Sequence, residues 1–182
     1  MSGAADQDGA RLPRLGPDDV PPRQKAIFEA FLRERGNIPN LFRIAAHSPA
    51  VHDALRGLLT GLMVEGAAPV RLKELVAVRV SHRNRCDYCL GSHTMLARRY
   101  GATDAELEAL ARGDLSGFAE PDRAALALAD AMTAGDGHVP DAVFAAVSAA
   151  WPAGAAVELV AVAAAFNLFN RFANALEIPP TR

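Results

Sequence analysis

Cysteine is nearly absent. The chain of 182 residues has two, at positions 86 and 89, too few for the disulfide framework that staples small secreted domains. Aromatic residues make up only 6% of it, which argues against strands built on Phe, Tyr and Trp. The hydrophobic fraction of 51% is instead alanine-rich and suits closely packed helices. Charge of neither sign dominates: the net charge is −2 and no basic stripe is interleaved with aromatics, so no nucleic-acid partner is expected. No uninterrupted apolar run reaches the roughly 18 residues that span a bilayer. The opening MSGAADQDGARLPRLGPDD also lacks the basic-then-apolar order of a secretion signal. The expectation is no membrane partner and a cytoplasmic location, where two closely spaced thiols cycle or bind metal rather than serve as a staple.

What is present is a helical period punctuated by stops. Residues 1–16 carry no such period and read as a flexible N-terminal tail, with residues 17–182 as a single helical domain. The spacing of Ile27, Phe28, Phe31 and Leu32 predicts a first helix stopped at Gly36, and NIPNLFRIAAHS a short second one. Pro49 opens a third, expected to end at Gly66. PVRLKELVAVRVSH is apolar almost all round and reads as a helix buried in a bundle. A reversal at RNR leads into a helix ending near Gly101, followed by a capping box at Thr103 and Glu106. Further helices are expected over about 121–134, 140–150 and 153–176. The fold class is all-α, a compact helical bundle with a Cys-x-x-Cys motif at a helix N-terminus. ELVAV occurs at Glu74–Val78 and again at Glu158–Val162, which suggests a duplicated helical hairpin whose two buried helices pack side by side.

Both cysteines fall in CDYCLGSH. On a helix Cys86, Cys89 and His93 line one face. Cys86 sits near the helix N-terminus, where free N–H groups favour a thiolate, and arginines precede it. Cys89 has His93 one turn on to take its proton. Position alone leaves open which sulfur attacks first. Glu74 is too far along a straight helix to touch the motif, about 18 Å from Cys86. A reversal at RNR would instead bring His93 down toward this carboxylate, which needs a partner in so apolar a helix.

ELVAVRVSHRNRCDYCLGSHTMLARRYG, with NIPNLFRIAAHSPA and FNLFNRFANALEIP around it, resembles the alkylhydroperoxidase D-like branch of the carboxymuconolactone decarboxylase superfamily. The resemblance implies an all-helical, often duplicated fold that forms a homo-oligomer, a trimer or hexamer. It implies a thiol peroxidase acting on hydroperoxides and reduced by a dithiol, such as a dihydrolipoyl-bearing partner protein, in a cycle that uses no metal or flavin cofactor. Carried across by motif position, Cys89 would be the peroxidatic thiol and Cys86 the resolving one, with His93 and Glu74 relaying the proton. The chain departs from the family at Tyr88, where the alkylhydroperoxidase has a histidine; a phenol near pKa 10 is a poor base at neutral pH.

Rival readings use the same residues. Cys86, Cys89 and His93 could hold zinc with His82 or Glu74 as a fourth ligand, in a helical module with no enzymatic role. The cysteines could be inert core residues. A lyase of the decarboxylase branch would use histidine and carboxylate on a lactone and leave the thiols idle. His82 and Tyr88 are supporting candidates at most, and His47, His52 and His138 read as surface or capping residues. Asn167, Asn170, Arg171 and Asn174 interrupt the apolar last helix, and hydrogen bonding at a helix or subunit interface is their expected use.

Overall fold

Helix α4 (Val70–Arg83) is buried on every side, and helices α5 (Asp87–Arg99), α6 (Asp104–Arg112), α7 (Glu120–Thr133) and α9 (Ala153–Ala175) pack on it. The computed structural model describes residues 9–181, and among these there are helices and turns but no strand. A 3-10 turn (Pro17–Asp19), α1 (Pro22–Arg35), α2 (Asn40–Ala45) and α3 (Pro49–Leu62) precede α4, and α8 (Asp141–Ala150) lies between α7 and α9. One apolar cluster surrounds α4 through Leu72, Leu75, Val76, Leu110, Leu126 and Leu159. A second gathers Phe28, Phe42, Ile44, Tyr88 and Phe169 together with both cysteines. Phe166 of the first cluster and Phe169 of the second meet edge to face at 5.7 Å, so the motif lies where the two cores join.

The polar residues of α4 survive burial because each has a partner. Lys73, 2% exposed, donates to the Val64 carbonyl and pairs with Glu158, each at 2.8 Å. Arg79 forks onto Asp130 at 2.7 and 2.9 Å and donates to the Leu110 carbonyl at 2.8 Å. Glu158 also accepts the Ala67 and Ala68 N–H groups, each at 3.0 Å. This is why α3 stops at Leu62 rather than at Gly66: the chain beyond it is drawn aside to reach Lys73 and Glu158. A Cβ at Gly66 would lie 2.5 Å from the Glu158 carboxylate, so any larger residue would push that carboxylate out of its present position.

The expected stops at Gly36 and Gly101 are in place, Gly36 capping α1 in the left-handed conformation and Gly101 following α5 at φ +95°, and the Thr103–Glu106 capping box forms. α4 and α9 pack against one another as the ELVAV echo requires. The echo does not extend to the hairpin: α4 turns back at Asn84, whereas α9 runs on unbroken to Ala175. By length and composition α9 could cross a membrane, with an 18-residue window of mean hydropathy 1.5, which counting uninterrupted apolar residues overlooks. Half of that window is buried against the bundle.

Of the tail expected over 1–16, residues 1–8 lie outside the described residues. The remainder is hydrogen-bonded: the Arg11 N–H donates to the Leu176 carbonyl at 3.0 Å, and Arg43 Nε to the Leu15 carbonyl at 2.9 Å. His52, expected at the surface, is fully buried. It lies edge-on between Phe28 and Phe42, with Nδ1 3.0 Å from Asp53, because helical spacing turns it inward beneath α1 and α2.

Candidate active site

The reversal expected at RNR builds the site. Asn84 caps α4, Arg85 adopts φ +52°, and Cys86 becomes the N-cap of α5 with extended backbone (φ −102°, ψ 93°). A non-glycine residue in the left-handed region costs about 1 kcal/mol. The Cys86 N–H bond to the Ser81 carbonyl at 3.0 Å helps offset it. α5 then runs back along α4, and His93 Nδ1 meets Glu74 Oε2 at 2.7 Å. Both are buried. A carboxylate at Nδ1 fixes the tautomer with the proton there and leaves Nε2 as the free, basic nitrogen. The Phe166 ring stands edge-on to the imidazole at 4.6 Å and fixes its plane.

The two thiols are reduced and in hydrogen-bonding contact, with opposite consequences for their protons. Cys86 is lowered from the ordinary thiol value to about 7. The Cys89 S–H that donates to it is the largest cause, and the Cys89 backbone N–H and the Asn170 amide add to it against burial. Cys89 is pushed up, first by giving its hydrogen to Cys86 and then by burial and the neighbouring negative charge. The pair thus releases one proton near neutrality and retains the second, and the titration belongs to both sulfurs together.

Access divides them the other way. A cavity of about 310 Å³ is lined by Cys89, His93 and Glu74, with Phe42, Met63 and Phe169 among its apolar walls. Cys86 does not line it and has no exposed surface. Four of the expected site residues are therefore brought together, Cys89, His93 and Glu74 at the cavity and Cys86 behind Cys89. Tyr88 also borders the cavity, but its hydroxyl accepts the Leu41 N–H at 3.2 Å and bonds Thr181, tying α2 and the C-terminal segment to α5. Burial pushes this phenol up, further from any use as a base. His82 is half-buried and lines no part of the cavity; burial and then the Arg79 charge hold it below the usual histidine range. Among the described residues no group of three or more His, Cys, Asp or Glu side chains is arranged to hold a metal ion.

The carboxymuconolactone decarboxylase family model matches residues 49–131, from the start of α3 into the last turn of α7. The uncharacterized protein YdfG of Bacillus subtilis (strain 168) is 31% identical over 106 residues, 57% of this chain and 72% of that protein. The chain belongs to the carboxymuconolactone decarboxylase family. Another relative, uncharacterized protein 4 in the cox locus of Paracoccus denitrificans, is 36% identical over 58 residues; this match spans about half of it (52%) and 32% of this chain. Among solved structures, an alkylhydroperoxidase AhpD core, a peroxidase-related protein from Ralstonia eutropha JMP134, aligns with a TM-score of 0.86 at 25% identity, over 94% of this chain and 92% of that one. Within the carboxymuconolactone decarboxylase family this chain falls in the alkylhydroperoxidase D-like branch. The debrominase Bmp8, in complex with 2,3,4-tribromopyrrole, aligns with a TM-score of 0.78 at 23% identity over 100% of this chain and 93% of its own, a likeness of fold alone.

One residue at the site escaped the sequence reading. Asn170 of α9 is fully buried, and its Oδ1 accepts from Asn84 Nδ2 at 3.1 Å. That fixes the amide with Nδ2 toward Ser81 Oγ at 3.1 Å and toward both sulfurs. Asn84 is itself held by Asn167 at 2.9 Å, and its carbonyl accepts from Asn174, also at 2.9 Å. The helix-interface role expected for these asparagines is met, with the thiol contact in addition. The signal available was the ELVAV offset, which sets Asn170 opposite Cys86.

Proposed function

We propose that this chain is a thiol-dependent peroxidase that reduces organic hydroperoxides with Cys89 as the attacking sulfur. The observation that carries the reading is that Cys89 and the His93–Glu74 pair border one cavity while Cys86 stands behind Cys89 in contact with it. In the singly ionised pair Cys86 is the thiolate and Cys89 holds the proton. Transfer of that proton along the S–H···S bond makes Cys89 the nucleophile without changing the charge of the pair. Cys89 sulfur attacks the outer oxygen of R–O–O–H; an S–O bond forms, the O–O bond breaks, and the alkoxide leaves as an alcohol with a proton that Nε2 of His93 takes up from solvent and passes on. Cys86 then displaces water from the sulfenic acid and the disulfide closes. A dithiol, free or carried on a dihydrolipoyl-bearing protein, restores both thiols by exchange and is itself oxidised to a disulfide.

Intact-mass measurement tests the cycle. Reduced protein treated with a small excess of organic hydroperoxide should lose two hydrogens, and dihydrolipoamide should restore them. Cys89→Ser should neither turn over nor form a sulfenic acid, whereas Cys86→Ser should consume about one equivalent and stop there. Full turnover by Cys89→Ser would overturn the assignment. A second reading draws on the His93–Glu74 pair alone, which could move a proton on a lactone without either thiol. Lactone conversion that survives in a Cys86→Ser, Cys89→Ser double variant would favour that lyase. The expected trimer or hexamer belongs to the same proposal. The exposed Phe144 and Val157 beside the groove between α8 and α9 are the first positions to charge while following the mass in solution.

A further inference from the structure

The cavity is not uniformly apolar. Arg35, the last residue of α1, lines its mouth. The Arg35 guanidinium sits 5.5 Å from the centre of the Phe31 ring, Phe31 stacks on Phe42 at 5.4 Å with the planes 14° apart, and Phe42 forms the cavity wall. This stack holds a cation at the rim. A basic residue at a helix C-terminus is stabilised by the helix dipole, which accounts for an arginine here but not for its place on the cavity. Arg35 forms no ion pair among the described residues. The other charged groups lining the cavity, Glu74 and His93, are paired with each other. The rest of the wall is mainly apolar, through Leu41, Leu59, Met63, Val64 and Leu96, with Thr60, Ser92 and Tyr100 adding a few hydroxyls.

A mainly apolar cavity with reactive sulfur inside and, at its mouth, a guanidinium that forms no ion pair among the described residues suits a ligand with an apolar body and an anionic end. We infer that the substrate is a hydroperoxide borne on a hydrocarbon chain that ends in a carboxylate, seated with the carboxylate on Arg35 and the peroxide toward Cys89. This inference rests on the peroxidase reading for its chemistry; its recognition half can be tested without turnover. The guanidinium fork matches a carboxylate, and at a partly hydrated rim the contact is worth about tenfold in affinity.

The test compares octanoate and 1-octanol, which share a chain and differ in charge, by calorimetry on the reduced full-length protein. The wild type should bind octanoate about tenfold more tightly than the alcohol. In Arg35→Gln that ratio should fall to about one, while Arg33→Gln, altered one turn-face away at an exposed position that does not line the cavity, should keep it. Equal binding of the two by the wild type, or a preference that persists in Arg35→Gln, would overturn the inference. A separate arm measures turnover of a hydroperoxy acid and of its methyl ester with a dithiol. An acid-over-ester ratio in kcat/KM that collapses in Arg35→Gln is the expected result. If neither compound is reduced, the peroxidase chemistry fails while the binding arm still decides whether the anion subsite exists.

Discussion

Removing the Cys89 sulfur should change the charge state of Cys86, and by an amount that can be worked out. Cys86 is fully buried, yet its thiol is held at about 7, chiefly by the Cys89 S–H. In Cys89→Ala that donor is lost; the backbone N–H and Asn170 remain, and burial opposes them as before. The Cys86 midpoint should return to at least the ordinary thiol value of about 8.5, a rise of about 1.5 units or about 2 kcal/mol against the thiolate. At neutral pH half of Cys86 is ionised in the wild type and only about 3% would be in the variant. The assay is the ultraviolet absorbance of thiolate as a function of pH, normalised to the unfolded protein. The wild type should gain one thiolate with a midpoint near 7 and keep its second thiol protonated well into the alkaline range. Asn170→Leu should raise the midpoint less than Cys89→Ala does, in keeping with the smaller place of the amide among the causes. A Cys89→Ala midpoint still near 7 would refute the shared-proton account.

The same thiol makes stability depend on pH. Its folded value lies below the unfolded one, so its contribution is lost as pH falls through about 7 and grows as pH rises toward about 8.5, beyond which the proton retained on Cys89 opposes it; the stability difference between wild type and Cys86→Ala, by urea unfolding, should grow by about 1.5 kcal/mol between pH 5 and about 8.5. Glu158→Ala strands the buried Lys73 ammonium and should cost about 3 kcal/mol in the same assay, with Lys73→Met added to it recovering most of the loss. A Glu158→Ala protein as stable as the wild type would show that Lys73 finds another partner. Glu74→Gln removes the charge that fixes and supports His93; peroxide turnover should fall about a hundredfold while the Cys86 midpoint stays near 7, and a moved midpoint would mean that Glu74 acts on the thiols instead.

The stops were the most legible part of the chain, because each is a local event. Gly36, Gly101 and the Thr103–Glu106 box act through their own backbone, and the turn at Asn84 and Arg85 lies where RNR interrupts the period. The end of α3 was misread for the opposite reason. The partners of residues 64–68 are Lys73 and Glu158, and Glu158 lies about ninety residues away, so nothing nearby signals where the helix must yield. Glu74 and His93 could be anticipated since the turn between them has a short, countable span. Asn170 could not be read from its own helix: an amide in an apolar helix shows that a partner exists but not which. His52 failed in the same way, its burial coming from α1 and α2 rather than from its neighbours in sequence.

Cys86 is a cap rather than a helical residue, and this bears on how much of the protein must feel oxidation. Its backbone torsions lie outside the helix, so closing a bond to Cys89 can be absorbed by the turn at Arg85 and Cys86. The hydrogen-bond ladder of α5 begins at the Cys86 carbonyl, which accepts the Leu90 N–H at 3.0 Å, and can persist unchanged beyond that first link. Glu74 stands on α4, the most enclosed helix of the bundle. Amide exchange should therefore register each redox turn at residues 84–90 and leave α4 silent, so that the proton-handling pair holds its geometry while the thiols beside it change covalent state.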